Sequence, residues 1–350
     1  MRQDNGCSQP AHAVPRHHKP AAGQFDILIG MAEQQADEPL KEDIHALLEQ
    51  RLGAVHARQR LGLEAEHEAH VRGTRFFHPE NWYSAQGFIR GALKLSGMYA
   101  RARRNAHAVR VVTNEIRLPK LPMDCDGLRV LHLSDLHIDM SECIAEALIS
   151  CTRDLTYDLC VMTGDYRFRS HGNQDKVLRG MAALRNHLTE PVYAVLGNHD
   201  SVTLVPPLEA LGIDVLMNEH RAFGHQGATI HVAGIDDAHF FRTHNIQKSL
   251  ESVPRDGFCL FLSHTPEVYR EAAHAGADLF LCGHTHGGQI CLPGGFPVVL
   301  EAHVPRRLGR GPWTHGAMSG YTSPGAGASL VDARINCPPE VTLHTLRAHA

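Results

Sequence analysis

Residues 192–200 read VYAVLGNHD: five apolar residues, then a glycine and three polar side chains. A short apolar run bounded by a turn signal predicts a buried strand over Val192–Leu196. Gly197 permits a sharp turn that presents Asn198, His199 and Asp200 together. The same pattern recurs on either side. Leu128–Leu133 runs into Ser134, Asp135, Leu136 and His137, and Leu159–Thr163 into Gly164 and Asp165. Phe258–Leu262 runs into Ser263 and His264, and Leu279–Cys282 into Gly283, His284, Thr285 and His286. Taken singly, Asp-x-His is a weak signal and Gly-Asp is a turn. Five in succession put polar groups at strand ends, where α/β sheets collect their chemistry.

Helical segments fit between the strands, around Ser141–Cys151, Gln174–His187, Leu204–Leu211 and Pro266–Ala275, and Thr229–Ala233 adds a strand. Alternation of this kind predicts a layered α/β domain. After Gln289 the chain is rich in Gly and Pro and ends in a last strand, Val341–Leu346. Upstream, residues 1–36 lack periodicity and read as a flexible tail. From Asp37 to His70 apolar residues recur at three- and four-residue steps (Leu40, Ile44, Leu47, Leu48, Leu52, Val55), which predicts an accessory helix or helical hairpin. From Asn81 to Arg104, Trp82, Ala85, Ile89, Ala92 and Tyr99 share one helical face, while Arg90, Lys94, Arg101, Arg103 and Arg104 form a cationic side and end. This segment reads either as a helix docked on the main domain or as an amphipathic helix at a membrane interface. The organisation is thus 1–36 tail, 37–110 helical extension and 111–350 α/β domain.

The chain has 350 residues, 43% hydrophobic content and a formal net charge of −4, enough for a large core and unlike the basic balance of a general nucleic-acid binder. Its nine cysteines form no CxxC pair, and Cys160, Cys259 and Cys282 lie in apolar runs, so they read as core residues of a reducing compartment. The apolar run Phe25–Met31 is too short for a signal or spanning helix, so the expected location is cytoplasmic or peripheral on the inner membrane face. Of the 27 histidines, those such as His12, His17, His18, His67 and His70 show no ligand spacing, and a histidine counts only where its neighbours put it in a site.

Phosphate esters carry negative charge and a poor leaving group, so their hydrolysis profits from two cations about 3.5–4 Å apart that also activate a water. Mixed nitrogen and oxygen ligands suit manganese, iron or zinc better than calcium.

The ordered motifs from Asp135 to His286 (DxH, GD, GNHD, H and GHxH) resemble those of the calcineurin-like metallophosphoesterase superfamily. The resemblance implies a four-layer α/β sandwich of two mixed sheets flanked by helices, here with an N-terminal helical extension. It implies two divalent metal ions, manganese foremost: Asp135, His137 and His286 would hold one, Asn198, His264 and His284 the other, and Asp165 would bridge them. A metal-bound hydroxide would attack the phosphorus, with His199 as stabiliser or general acid and Asp200 orienting it.

The stretch GHTHGGQ at Gly283–Gln289, the tail around Pro338–Val341 and the extended run Val111–Leu133 resemble a bacterial branch of small, often membrane-associated phosphohydrolases, some of which cleave UDP-diacylglucosamine. The chain departs from that branch at Tyr166, Arg167, Phe168 and Arg169, where Arg167 or Arg169 could clamp a substrate phosphate or pair with a nearby acid. The leading expectation is hydrolysis of a phosphodiester or pyrophosphate in a lipid-linked or nucleotide-sugar substrate. The alternatives are a soluble phosphodiesterase of nucleotides or nucleic acid, which would bury residues 81–104 as core, and a metal-binding scaffold without turnover.

Overall fold

The computed structural model describes residues 38–73 and 82–349. The tail reading of residues 1–36 lies outside them. Two six-stranded mixed sheets face each other. The first has the order β1 (Arg110–Leu118), β14 (Glu340–Ala348), β2 (Arg129–Leu133), β3 (Leu159–Met162), β4 (Val192–Ala194) and β5 (Asp214–Val215). The second runs β12 (Gly311–His315), β13 (Met318–Thr322), β9 (Leu279–Cys282), β8 (Phe258–Leu262), β7 (Ala228–Gly234) and β6 (Glu219–His225). A small hairpin, β10 (Cys291–Leu292) with β11 (Phe296–Pro297), projects beyond β9.

The central strands β3, β4, β8 and β9 are apolar and buried along their whole length because both of their faces are covered. Val130, Leu159, Val161, Leu260, Leu262, Leu279 and Leu281 fill the layer between the sheets. Their neighbours one residue away point outward. Leu131, Cys160 and Met162 pack under Leu148, Val177 and Met181, while Phe261 and Phe280 pack under Tyr269 and Ala272. Period-two alternation thus yields helix, sheet, sheet, helix, the four layers expected.

The N-terminal extension begins with two helices, α1 (Glu38–Leu52) and α2 (Ala54–Gly73). It is not an appendage: Leu48, Leu52 and Ala57 are buried in the same cluster as Val202, Leu204 and Leu208. The next segment is two helices rather than the single one expected, α3 (Trp82–Leu95) and α4 (Tyr99–Ala106). Gly97 takes φ 68°, and the Gly97 and Met98 amides donate to Lys94 O and Leu93 O, a glycine-capped helix end that turns the chain. Leu93 and Ala102 are buried against Val331 and Ala333. Phe88, Leu95 and Met98 are exposed. The segment therefore docks by one face and leaves apolar residues on another. Among the described residues no helix is long and apolar enough to cross a membrane.

Candidate metal centre

Strands β2, β3 and β4 are parallel neighbours, as are β8 and β9, so the loops after their C-terminal ends meet along one rim. Close approach there demands glycine. A Cβ on Gly283 would collide with the Ser134 hydroxyl and the Asp135 carboxylate. Asp135, His137, Asp165, His284 and His286 all have positive φ, between 40° and 69°. Such backbone is costly for residues with a side chain and concentrates where function holds it.

Asp135, His137, Asp165 and His286, all buried, offer donor atoms within 4.8 Å of one another and could hold a metal ion. His137 Nε2 lies 3.1 Å from His286 Nε2, and Asp135 Oδ1 lies 3.4 Å from the same atom. Beside them, His264 Nε2 is 3.1 Å from Asn198 Oδ1, 3.2 Å from His284 Nδ1 and 3.4 Å from Asp165 Oδ2. Asp165 Oδ2 is also 3.8 Å from His137 Nε2, so this carboxylate stands between the two groups.

The tautomers fit cation binding. His137 Nδ1 and His264 Nδ1 donate to the carbonyls of Arg167 and Thr163, which leaves each Nε2 directed inward. His284 Nε2 is buried without a hydrogen-bond partner, while its Nδ1 points into the cluster. Burial pushes His137 down to about 4, and burial followed by neighbouring positive charge holds His284 and His286 well below the usual histidine range. Neutral imidazoles are the form that binds metal. Asp165, by contrast, is held well below the usual carboxylate range: burial opposes its ionisation, but the His264 imidazolium 3.4 Å away outweighs burial.

Residues 128–288 match the calcineurin-like phosphoesterase family. An uncharacterised metallophosphoesterase of Bacillus subtilis, YkoQ, is 33% identical over 258 residues, covering 70% of this chain and 93% of its own length. The chain belongs to the calcineurin-like phosphoesterase family. The Escherichia coli phosphodiesterase YaeI is 30% identical, over 61% of this chain and 80% of that protein. A Danio rerio transmembrane protein with a metallophosphoesterase domain is 28% identical over 68% of this chain, which spans 57% of that relative.

The chain is thus a metallophosphoesterase, a metal-dependent phosphoric ester hydrolase. The surroundings of its centre differ from the sequence reading in two places. Asp200 does not orient His199. Its buried carboxylate accepts from the amides of Asp165, Tyr166, Arg167 and Gly197 and so pins the loop that carries Asp165. The His199 ring is held instead through Nδ1 by Phe168 O at 2.8 Å, with Nε2 4.0 Å from Asp165 Oδ2. Arg167 is buried, donating to Gly172 O and enclosing an Nε without a partner, whereas Arg169 is exposed.

Other contributors carried no motif. Arg334, fully buried, donates to the carbonyls of Pro324 and Gly327 and reaches His286 Nδ1 at 3.2 Å. It ties the loop that covers Asp135 to the His286 ring. His239 lies 4.2 Å, ring centre to ring centre, from His284 and is bonded to Glu267 at 3.0 Å.

Proposed function

We propose that this metallophosphoesterase hydrolyses a phosphodiester or pyrophosphate bond at a centre of two divalent cations, manganese foremost, with iron or zinc as the other suitable ions. Asp135, His137 and His286 would hold one ion, Asn198, His264 and His284 the other, with Asp165 shared. The observation that carries this reading is the position of Asp165 Oδ2, 3.4 Å from His264 Nε2 and 3.8 Å from His137 Nε2, between two sets of inward-facing donors. The E. coli relative's name as a phosphodiesterase supports the diester class.

Cations bound there would polarise the phosphoryl oxygens and acidify a water. The chain's own groups do the rest. His137, His284 and His286 are neutral and ready to accept a cation, whereas His264, which burial would lower but Asp165 and Asp135 raise to about 10, would give up its proton as the ion binds. His199, anchored at Nδ1, presents Nε2 to the same space and is suited to protonate the departing alkoxide. Arg169, exposed and next in sequence to the Phe168 that anchors His199, is the arginine available to a substrate phosphate.

The substrate is proposed to be lipid-linked or a nucleotide sugar, handled at a membrane surface. Exposed Phe88, Leu95 and Met98 on the docked helix pair support that over a soluble nucleotide phosphodiesterase, for which the whole segment should pack. The test is hydrolysis by chelated protein resupplied with Mn²⁺, using bis-p-nitrophenyl phosphate beside UDP-2,3-diacylglucosamine, with Asp165→Ala as the blank. Metal-dependent cleavage of the diester supports the chemistry, and release of UMP supports the lipid precursor. No cleavage of either by the Mn²⁺-loaded wild type sinks the reading.

A further inference from the structure

The β10–β11 hairpin begins five residues after His286, and together with the two residues that follow it exposes four apolar side chains. Leu292, Phe296, Val298 and Val299 are 54–69% exposed within eight residues. Behind it opens a cleft of about 310 Å³, lined by Gly287, Pro297 and Leu300 and by three arginines, Arg306, Arg307 and Arg310. That volume is at the lower end of small-molecule sites, roughly 300–1,000 Å³.

The cleft shares its walls with the catalytic rim. Gly287 adjoins His286, and a Cβ there would meet Arg310 Cδ at 3.0 Å. The Thr285 hydroxyl donates to Gly309 O at 2.6 Å. Leu300 precedes Glu301, whose carboxyl lies in the field of His199 and His239.

Arg306 lies 4.8 Å from the Phe296 ring centre and donates to Pro297 O. Among the described residues none of the three arginines is ion-paired with a carboxylate. Three uncompensated cations in one cleft attract an anion and repel each other. Four apolar side chains on its lip are exposed to water at a cost proportional to their area. One ligand relieves both: a phosphate group carried by an apolar body. Cations set under an apolar fringe are the arrangement of elements seated in the headgroup layer of a bilayer. The helix pair continues this side of the molecule, because Ile290, next to the hairpin, packs against the same buried cluster of Leu93, Ala102, Val331 and Ala333 as Ile89 and Tyr99.

We propose that the cleft formed by Arg306, Arg307 and Arg310 binds the phosphate of an anionic phospholipid head group while Leu292, Phe296, Val298 and Val299 enter the acyl boundary. The proposal rests on the lipid-surface reading above and gives it a site distinct from the metal ligands. Docking by this lip brings the rim holding His199 to the bilayer surface, so the ester to be cleaved is drawn from the membrane plane.

The experiment is co-sedimentation of the full-length Mn²⁺-loaded protein with vesicles of phosphatidylcholine alone or with added phosphatidylglycerol, at low and high salt. Wild type is expected to pellet with the anionic vesicles and to be released by salt. Arg307→Gln/Arg310→Gln, checked for an unchanged thermal melt, is expected to lose at least about tenfold in affinity, since each cation near an anionic surface contributes about a factor of five. Phe296→Ser is expected to weaken binding too. Equal pelleting with both vesicles, or unchanged binding of either variant, overturns the proposal. So does displacement by inorganic phosphate at the vesicles' own phosphate concentration, which would make the cleft a site for free phosphate. Wild type that pellets with neither vesicle also overturns it and leaves the lip to a protein partner. Hydrolysis of the soluble diester by the same preparation separates this failure from failure of the metal chemistry.

Discussion

Arg60 Nη2 donates to the main-chain carbonyl of Asp200 at 3.0 Å, joining helix α2 to the loop that anchors the metal centre. The guanidinium is fully buried, lies 3.5 Å from the Phe241 ring centre, and has Asp236 Oδ1 at 3.4 Å and Glu64 Oε1 at 2.9 Å. Glu64 in turn accepts from the Val202 amide and the Ser201 hydroxyl. One helical turn of the extension therefore grips both sides of the segment following His199. Arg60→Ala would leave Glu64 buried without its cation and Asp236 held by His56 and Thr243 alone, and breaking such a buried ion-pair network costs about 3–5 kcal/mol. The expected outcome is a lower urea midpoint together with a fall in kcat larger than any rise in KM. An unchanged kcat in the folded variant would limit Arg60 to stability.

His199→Ala should separate turnover from metal loading. The ring is fixed by Phe168 O and does not share the short donor contacts made by His264 and His137. Metal content, measured by inductively coupled plasma mass spectrometry, is expected to stay at the wild-type level while kcat drops ~10²–10⁴-fold. Loss of metal would make His199 a ligand, and retention of turnover would remove it from proton transfer.

The strands and the inward-facing donors were legible because they obey local rules. Buried parallel strands are apolar throughout, and Gly164, Gly197 and Gly283 sit where backbones nearly touch. What was not legible depends on partners far away in sequence. Arg60 and Glu64, four residues apart on a helix, read as an ordinary solvated pair, and only the loop 140 residues later buries them. Arg334 lies in a Gly/Pro-rich stretch without periodicity, and its role comes from the carbonyls that surround it. Strands β6 and β12 are partly exposed edges of their sheet, so their mixed composition lacks the continuous apolar signal. The resemblance implied that Asp200 orients His199, whereas here four backbone amides occupy that carboxylate.

The His239–Glu267 pair behind His284 predicts a pH window for stability. Burial works against both charges, but His239 and the His303 amide hold Glu267 down to about 2, and Glu267 raises His239. For the depressed carboxylate, the contribution is complete above its unfolded pKa of about 4.3 and is lost as pH falls towards the folded value. For the raised imidazole, it is complete below about 6.5 and is lost as pH rises through the folded pKa. The stability difference between wild type and Glu267→Gln is therefore expected to be greatest between about pH 4.3 and 6.5 and to shrink on both sides. Urea titrations across that range measure it, and a flat difference would show that the charge pair contributes nothing.

Gly197→Ala tests whether the metal centre depends on backbone contact as well as on its ligands. A Cβ at Gly197 would strike the Asp165 carboxylate and come within 2.6 Å of the Asp165 amide. Backbone cannot rotate away as a flexible side chain can, so the loop must shift and carry the shared carboxylate with it. Overpacking of this kind costs about 1–3 kcal/mol, which a domain of this size should survive. The expected variant is folded, deficient in metal and slow, although no ligand has been changed. Gly91→Ala is the contrast. It lies within helix α3 with nothing within 4 Å of the new Cβ, and should stabilise by about 0.5–1 kcal/mol without altering metal content. If Gly197→Ala retains full metal stoichiometry and turnover, the carboxylate tolerates displacement, and the case for Asp165 as the shared ligand weakens with it.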